Sequence, residues 1–315
     1  MKLLVASGWL LLGACVAPAP LPEGPYVVVL GTAQDGGVPQ LGCREPNCAR
    51  ARQDARRARL VTSLVLADPR SARRWLFDAS PDLPEQVERA RPHPPTRAEL
   101  GPRPALFDGV FLTHAHVGHY LGLAHLGREV YGARALPVWG SRRMLEFLGQ
   151  NGPWSLLVDS GALELREVSL GGALELAPDL SVRALRVPHR DEFSDTLAFV
   201  IRGPRRTLAY LPDIDKWERW ELRLEEFLAG VDVALLDGTF YADGEIPGRS
   251  LAEIPHPFVS ETLERLADDP LELRAKVVFT HLNHTNPACQ PESDAQAAIR
   301  AAGMRVAREG ELLEL

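Results

Sequence analysis

Four cysteines and very little lysine are what 315 residues contain, and each shortage excludes something. A disulfide-built scaffold needs a denser cysteine framework than this. The cations are almost all arginine, read here as coding bias, and the net charge is −7. A nucleic-acid backbone is therefore not the expected partner. The chain has no Gly-x-Ser-x-Gly stretch and no Walker-type Gly-rich loop. Those absences argue against a serine-hydrolase elbow and a nucleotide-triphosphatase loop. After residue 25 no second linker, repeat or low-complexity block interrupts the sequence. About 290 residues then remain, enough for one large or two small domains.

The N-terminus has a character of its own. A lysine and an apolar run reach Leu12, too short to span a bilayer but suited to a secretion signal. Leu12-Gly13-Ala14-Cys15 is similar to a bacterial lipobox, in which cleavage leaves Cys15 to be lipidated. Residues 1–15 are thus expected to be a lipoprotein-type signal peptide and 16–25 a Pro-rich tether. Residues 26–315 would form the folded domain, exported and lipid-anchored to a bacterial membrane, facing the periplasm or at the cell surface.

Apolar, β-rich runs fall at 26–31, 60–67, 75–79, 110–113, 136–139, 180–187, 196–201, 206–211, 231–237 and 277–281. Helical periodicity marks 47–59, 83–91, 120–131, 141–148, 217–229, 259–266 and 294–302. Strands dominate both halves without strict alternation, which predicts two mixed sheets face to face with helices outside.

Three of the nine histidines sit in Thr113-His114-Ala115-His116-Val117-Gly118-His119, directly after an apolar run. On an extended segment His114 and His116 point to one side and can grip one ion; His119 faces the same point from the next turn. Further candidates end other strands: Asp78, His189, Asp213 and His281. Residues held at several strand ends converge on one sheet edge, as a metal site requires.

This order (a strand-end Asp, His-x-His-x-x-His, a later His, an Asp, a final His) resembles the metallo-β-lactamase fold superfamily. The resemblance implies an α+β, four-layered αβ/βα sandwich with metal along one edge. It implies His114, His116 and His189 as ligands of a first metal, His119 and His281 of a second, and Asp213 as the bridging carboxylate. Asp78 takes the place of the supporting aspartate. Residues 29–40 (Val-Leu-Gly-Thr-Ala-Gln-Asp-Gly-Gly-Val-Pro-Gln), Ala79-Ser80-Pro81-Asp82, Leu236-Asp237-Gly238-Thr239 and His281-Leu282-Asn283-His284-Thr285-Asn286-Pro287 are similar to the coenzyme PQQ synthesis protein B family. That family has largely lost the histidine cluster. In keeping it, the chain resembles the phosphonate-pathway cyclic phosphodiesterases of the same superfamily.

The chain departs from the superfamily motif His-x-His-x-Asp-His in having Gly118 at the aspartate position. The second site is then one protein ligand short, unless Asp35 or Asp215 fills it from another loop. Cys43 and Cys48 precede a helix, and with His284 they resemble the structural zinc site of the phosphodiesterases. Glu45 or Cys289 would be the fourth ligand, and a Cys43–Cys48 disulfide is the rival reading. His93 and His125 are read as surface or packing histidines, and Trp217 and Trp220 as core.

An ion on three imidazoles lowers the pKa of bound water to roughly 7, making hydroxide available at neutral pH. The implied function is a metal-dependent hydrolase, zinc-using, acting through hydroxide on a phosphodiester or other small ester. Asp213 and Asp78 assist, and His256 or Asp215 is the candidate general acid. Iron or manganese suits the same donors, so an iron- and dioxygen-using oxidoreductase of the PQQ synthesis protein B type is the alternative. A non-catalytic binding protein on the same fold is the third reading. The expected partners are a small-molecule substrate and, through the anchor, a membrane.

Overall fold

The structure is a computed structural model that describes residues 20–93, 105–246 and 254–315. The signal-peptide reading, Cys15 and residues 16–19 of the tether lie outside the described residues. No helix among those described is long and apolar enough to cross a membrane.

The first half supplies β1 (Tyr26–Gly31), β2 (Ser63–Asp68), β3 (Arg73–Phe77), β4 (Gly109–Phe111), β5 (Leu136–Gly140) and β6 (Leu163–Glu167). The second supplies β7 (Ala173–Ala177), β8 (Leu180–Val187), β9 (Thr196–Arg202), β10 (Thr207–Leu211), β11 (Val233–Asp237), β12 (Val277–Thr280), β13 (Arg305–Val306) and β14 (Leu312–Glu314). They pair as two seven-stranded sheets, ordered β14-β1-β2-β3-β4-β5-β6 and β13-β12-β11-β10-β9-β8-β7. Each sheet is antiparallel on one side and parallel on the other: β3 to β6 run parallel, as do β10 to β13.

Strands buried on both faces read as continuous apolar runs. In β1 every residue is buried. Val27 and Val29 face the space between the sheets, while Tyr26, Val28 and Leu30 face outward beneath helices. The inter-sheet layer centres on Phe111, stacked between Phe77 and Trp139 with both centroids 4.8 Å away, and Phe199 meets it edge-on.

Helices α1 (Pro46–Gln53), α2 (Leu83–Ala90), α3 (Val117–Tyr120), α4 (Arg142–Gln150), α5 (Trp154–Asp159), α6 (Leu224–Ala229), α7 (Val259–Arg265), α8 (Leu271–Arg274) and α9 (Asp294–Ala301) lie outside the sheets. The hydroxyls of Ser141 and Ser293 cap α4 and α9. Leu83, Met144, Leu148 and Trp154 close the outer core of the first sheet; Leu224, Leu228, Val259 and Ile299 close that of the second. The expected four-layered αβ/βα sandwich is the architecture found.

Three helical expectations are corrected. The segment 47–59 breaks at Asp54, extended at φ −137°, between α1 and a 3₁₀ turn Ala55–Arg57. The segment 120–131 is not one helix: α3 ends at Tyr120 and a 3₁₀ stretch covers Leu121–Leu126. The Ala79 N–H bonds to His119 O and the Gly122 N–H to Ala79 O, so the loop after β3 takes groups that a continuing helix would use. The segment 217–229 also breaks, into a 3₁₀ turn Trp217–Arg219 and α6. There the two indoles are drawn apart, Trp217 Nε1 to Thr262 Oγ1 and Trp220 Nε1 to Arg186 O. Both tryptophans are buried core residues, as read.

Parallel strands bring their C-terminal ends to one edge. Asp78 follows β3, the histidine cluster follows β4, His189 follows β8, Asp213 follows β10, Asp237 ends β11 and His281 follows β12.

Candidate metal centre

Asp78 is the pivot of this edge. It is fully buried and holds a left-handed backbone at φ 62°, as His281 does at φ 60°. Non-glycine residues avoid that region, so two at one sheet edge mark a conformation that the surroundings impose. Ser63 Oγ donates to the carbonyls of Phe77 and Asp78, and the His281 N–H donates to Thr62 Oγ1. Neighbouring residues at the start of β2 thus fix both strained positions.

The hydrogen bonds decide which ring nitrogen each histidine turns inward. Asp78 accepts from the Thr113 N–H at 2.8 Å, from Thr113 Oγ1 at 3.0 Å, from His119 Nδ1 at 2.7 Å and from the Tyr210 hydroxyl at 3.0 Å. Burial and the adjacent Asp78 carboxylate push the Tyr210 phenol well above its usual range, so it stays a donor. With its proton given to Asp78, Thr113 Oγ1 accepts from His114 Nδ1 at 3.0 Å. His116 Nε2 donates to Glu192 at 3.0 Å. Thr239 Oγ1, its proton on Asp237 at 2.7 Å, accepts from His281 Nδ1 at 2.9 Å.

What remains are lone pairs facing lone pairs. His114 Nε2 and His116 Nδ1 lie 2.8 Å apart, each having spent its N–H on the far side. His119 Nε2 stands 3.1 Å from Asp213 Oδ2 and His281 Nε2 stands 3.3 Å from it, neither aligned for a hydrogen bond. Nε2 of His119 and His281, both ring nitrogens of His189 and Oδ2 of Asp213 are buried without a hydrogen-bond partner. Buried polar groups are otherwise almost always satisfied. Cations among them would satisfy these atoms, all but one nitrogen of His189, and imidazole with carboxylate is an apt donor set for zinc.

The electrostatics agree at His114, His189 and His281; at His119 they favour a proton, which a bound cation would have to displace. Burial, together with the neighbouring imidazoles, pulls His114, His189 and His281 down, keeping them in the neutral form that can bind a metal. Burial also works against a charged His119, yet Asp78 and Asp213 outweigh it and hold that imidazole well above its ordinary value. For Asp213 burial outweighs the attraction of His119 and raises the carboxyl.

The donors fall into overlapping groups whose candidate ligand atoms lie within 4.8 Å of one another: His114, His116 and His189; His114, His119 and Asp213; Asp35, His119 and His281; His189, Asp213 and His256. Every residue expected in the two sites is therefore at this edge. His256 donates Nδ1–H to Asp237 Oδ2 at 2.7 Å and lies 4.0 Å from Asp213. Burial lowers it, but Asp237 and Asp213 raise it more. Asp215 does not join the cluster, because Arg219 holds it at 2.6 Å. His93 is a packing histidine, hydrogen-bonded to the Tyr26 hydroxyl.

A second cluster lies near α1. Cys43 Sγ is 3.3 Å and Cys48 Sγ 3.7 Å from His284 Nδ1, and both cysteines are free thiols. Burial, with Cys43 alongside, pushes the Cys48 thiol up to about 11. Cys289 is turned away, toward Asn283 O, and Glu45 is exposed.

Sequence reasoning passed over Glu192, Thr113, Thr239 and Asp237 as the groups that aim the histidines. Asp237 had a signal, a strand-end carboxylate like Asp78; Glu192, on an exposed loop, had none.

Residues 73–282 match the family profile described as beta-lactamase superfamily domain. Coenzyme PQQ synthesis protein B of Methylobacterium nodulans is 31% identical over 310 residues, covering 91% of this chain and 99% of the relative. That of Azoarcus sp. is 30% identical over 313 residues, 92% and 99% of the two chains. Among solved structures, Zn(2+)-bound PqqB from Methylobacterium extorquens superposes with a TM-score of 0.77 at 26% identity, covering 92% of this chain and all of that one. A diphosphatase from the PhnP family shares the fold, with a TM-score of 0.65 at 22% identity over 92% of this chain and 97% of that one.

Proposed function

We propose, for a chain that belongs to the metallo-β-lactamase fold superfamily and within it to the coenzyme PQQ synthesis protein B family, that it is a zinc-dependent hydrolase of a phosphodiester or another small ester. The observation that carries this reading is the set of buried, unpartnered nitrogens and oxygen on His119, His189, Asp213 and His281. His114, His116 and His189 would hold a first ion; His119, His281 and Asp213 would hold a second, with Asp213 shared. When bound, zinc supplies Lewis acidity and lowers the pKa of water.

The protein's own part is orientation. Glu192 and Thr113 keep Nδ1 of His116 and Nε2 of His114 as the inward atoms, and Asp78 does the same for His119. His256, fixed by Asp237, would hand a proton to the leaving oxygen. Cys43, Cys48 and His284 would hold a separate structural zinc that pins the loop before α1 to the His281 loop.

A second reading draws on the relatives' name, coenzyme PQQ synthesis protein B: the same donors take iron, and the reaction would then consume dioxygen. One experiment separates the readings. Metal per chain is measured for the full chain and for His116→Ala, and hydrolysis of bis(p-nitrophenyl) phosphate is followed with and without dioxygen. Zinc that is depleted in the variant, with hydrolysis indifferent to dioxygen, is expected. Iron with a dioxygen requirement would favour the second reading. No metal lost in His116→Ala would leave a binding protein on this fold.

A further inference from the structure

The loop after β1 reaches into the metal cluster, and the reason is written in Gly118. A Cβ built at position 118 would lie 2.2 Å from Asp35 Oδ1 and 2.9 Å from Asp35 Cα. No side chain fits there while Asp35 stands where it does. The glycine's bare N–H instead donates to Asp35 Oδ1 at 3.2 Å. The same oxygen lies 3.9 Å from His119 Nε2, and Asp35, His119 and His281 form one group of candidate ligand atoms within 4.8 Å. The two histidine nitrogens in that group are buried and unpartnered.

Asp35 is not there by the drift of a free loop. Gln34 N–H donates to Leu282 O and Leu282 N–H to Thr32 O, at 2.9 and 2.8 Å. Ala33 bridges to both Val61 and Leu282. The Asp35 loop is therefore stitched by its backbone to the residue that follows His281. Gly37, at φ 67°, turns the chain back, its N–H on Gln34 O. One carboxylate oxygen faces Gly118 and His119; the other takes a hydrogen bond from Gln34 Nε2 at 3.4 Å. Asp35 keeps about a quarter of its side chain exposed (28%).

We propose that Asp35 is a protein ligand of the second metal ion, completing with His119, His281 and Asp213 a four-donor site that Gly118 alone leaves room for. The proposal rests on the two-ion reading above. Gly118 and Asp35 then form a reciprocal pair: the carboxylate comes from the β1 loop, and the cluster helix must carry no side chain at its second residue. The pair joins two segments 83 residues apart in sequence.

The test counts ions. Full-length wild type, Asp35→Asn, Gly118→Asp, the exchange Asp35→Gly/Gly118→Asp and His116→Ala are stripped with chelator and dialysed against graded zinc. Ions per chain are then read by mass spectrometry. Asp35→Asn should hold one ion fewer than wild type at limiting zinc, with second-ion affinity down at least ~10-fold, since even outer groups cost 10–100-fold. Asn still accepts from the Gly118 N–H, so the metal-free melting temperature should match wild type. Gly118→Asp alone should melt lower, and the exchange should regain both melting temperature and ion. An ion count and affinity in Asp35→Asn equal to wild type would overturn the assignment. If His116→Ala loses no ion either, the two-ion reading falls with it; if only His116→Ala loses one, that reading stands and Asp35 alone is refuted.

Discussion

Replacing Asp78 by Asn changes one atom's charge and leaves the shape intact. Asn is among the few residues that tolerate the φ of 62° found here, so the backbone is not perturbed. The carboxylate accepts from four donor groups: the Thr113 N–H and Oγ1–H, the Tyr210 hydroxyl and His119 Nδ1. An amide offers one acceptor oxygen and sets an NH₂ against the remaining donors. If Oδ1 keeps Thr113, the NH₂ faces the Tyr210 hydroxyl and His119 Nδ1. His119 can then be satisfied only by moving its proton to Nε2, the nitrogen that points into the cluster. A protonated Nε2 cannot ligate. Losing a buried charge-assisted bond costs about 1.5–3 kcal/mol. At roughly 2–4 °C per kcal/mol for a domain of this size, the melting temperature of the metal-free protein should fall on the order of 5–10 °C. Zinc affinity should fall about 10–100-fold, the range for groups that orient a ligand. Calorimetric melting and chelator competition measure the two effects separately. The reasoning is refuted if Asp78→Asn melts like wild type and binds zinc with unchanged affinity.

Other outcomes follow from the same geometry. Phe111→Ala removes the middle ring of the Phe77–Phe111–Trp139 stack and should lower stability by about 3–5 kcal/mol in denaturant titration, with metal content per folded chain unchanged. Cys48→Ser should release one zinc per chain from the Cys43–Cys48–His284 cluster without altering the ion held by His116; a variant that loses no zinc but shows a missing disulfide on mass mapping would favour the rival. Asp237→Asn, with its amide oxygen kept on Thr239 so that His281 stays aimed, turns an NH₂ toward His256 Nδ1 and should lower kcat by roughly 10–100-fold while ion count stays at wild type, a split that a loss of metal would contradict. Cys15→Ala should abolish labelling by radioactive palmitate and release the chain from the membrane fraction; unchanged labelling would remove the lipid-anchor proposal.

How far the strands were legible depends on where they lie. Runs such as 26–31 and 180–187 coincide with β1 and β8, because central strands bury both faces or a full alternate face and composition records it. Four strands were missed: β6, β7, β13 and β14. β6 and β7 carry exposed polar positions at sheet edges, and β14 is three residues held by pairing with β1 at the other end of the chain. Residues 60–62 were read as strand but leave the ladder, since Leu60 O is taken by the N–H groups of Thr32 and Ala33.

The sequence by itself determined the donor chemistry. His-x-His-x-x-His after an apolar run, with histidine and aspartate at later strand ends, already names the atoms able to hold a cation, because ligand identity is a local property of side chains. It determined as well the inner strands that deliver them. Only the tertiary structure decided which lone pair each imidazole presents, since that is set by Thr113, Glu192, Asp78 and Thr239 across the sheet edge. It alone put Asp35 against Gly118, and Cys43 and Cys48 against His284. Such encounters join residues tens to hundreds apart, and no periodicity records them; they exist because two sheets packed face to face bring their parallel strand ends to one edge.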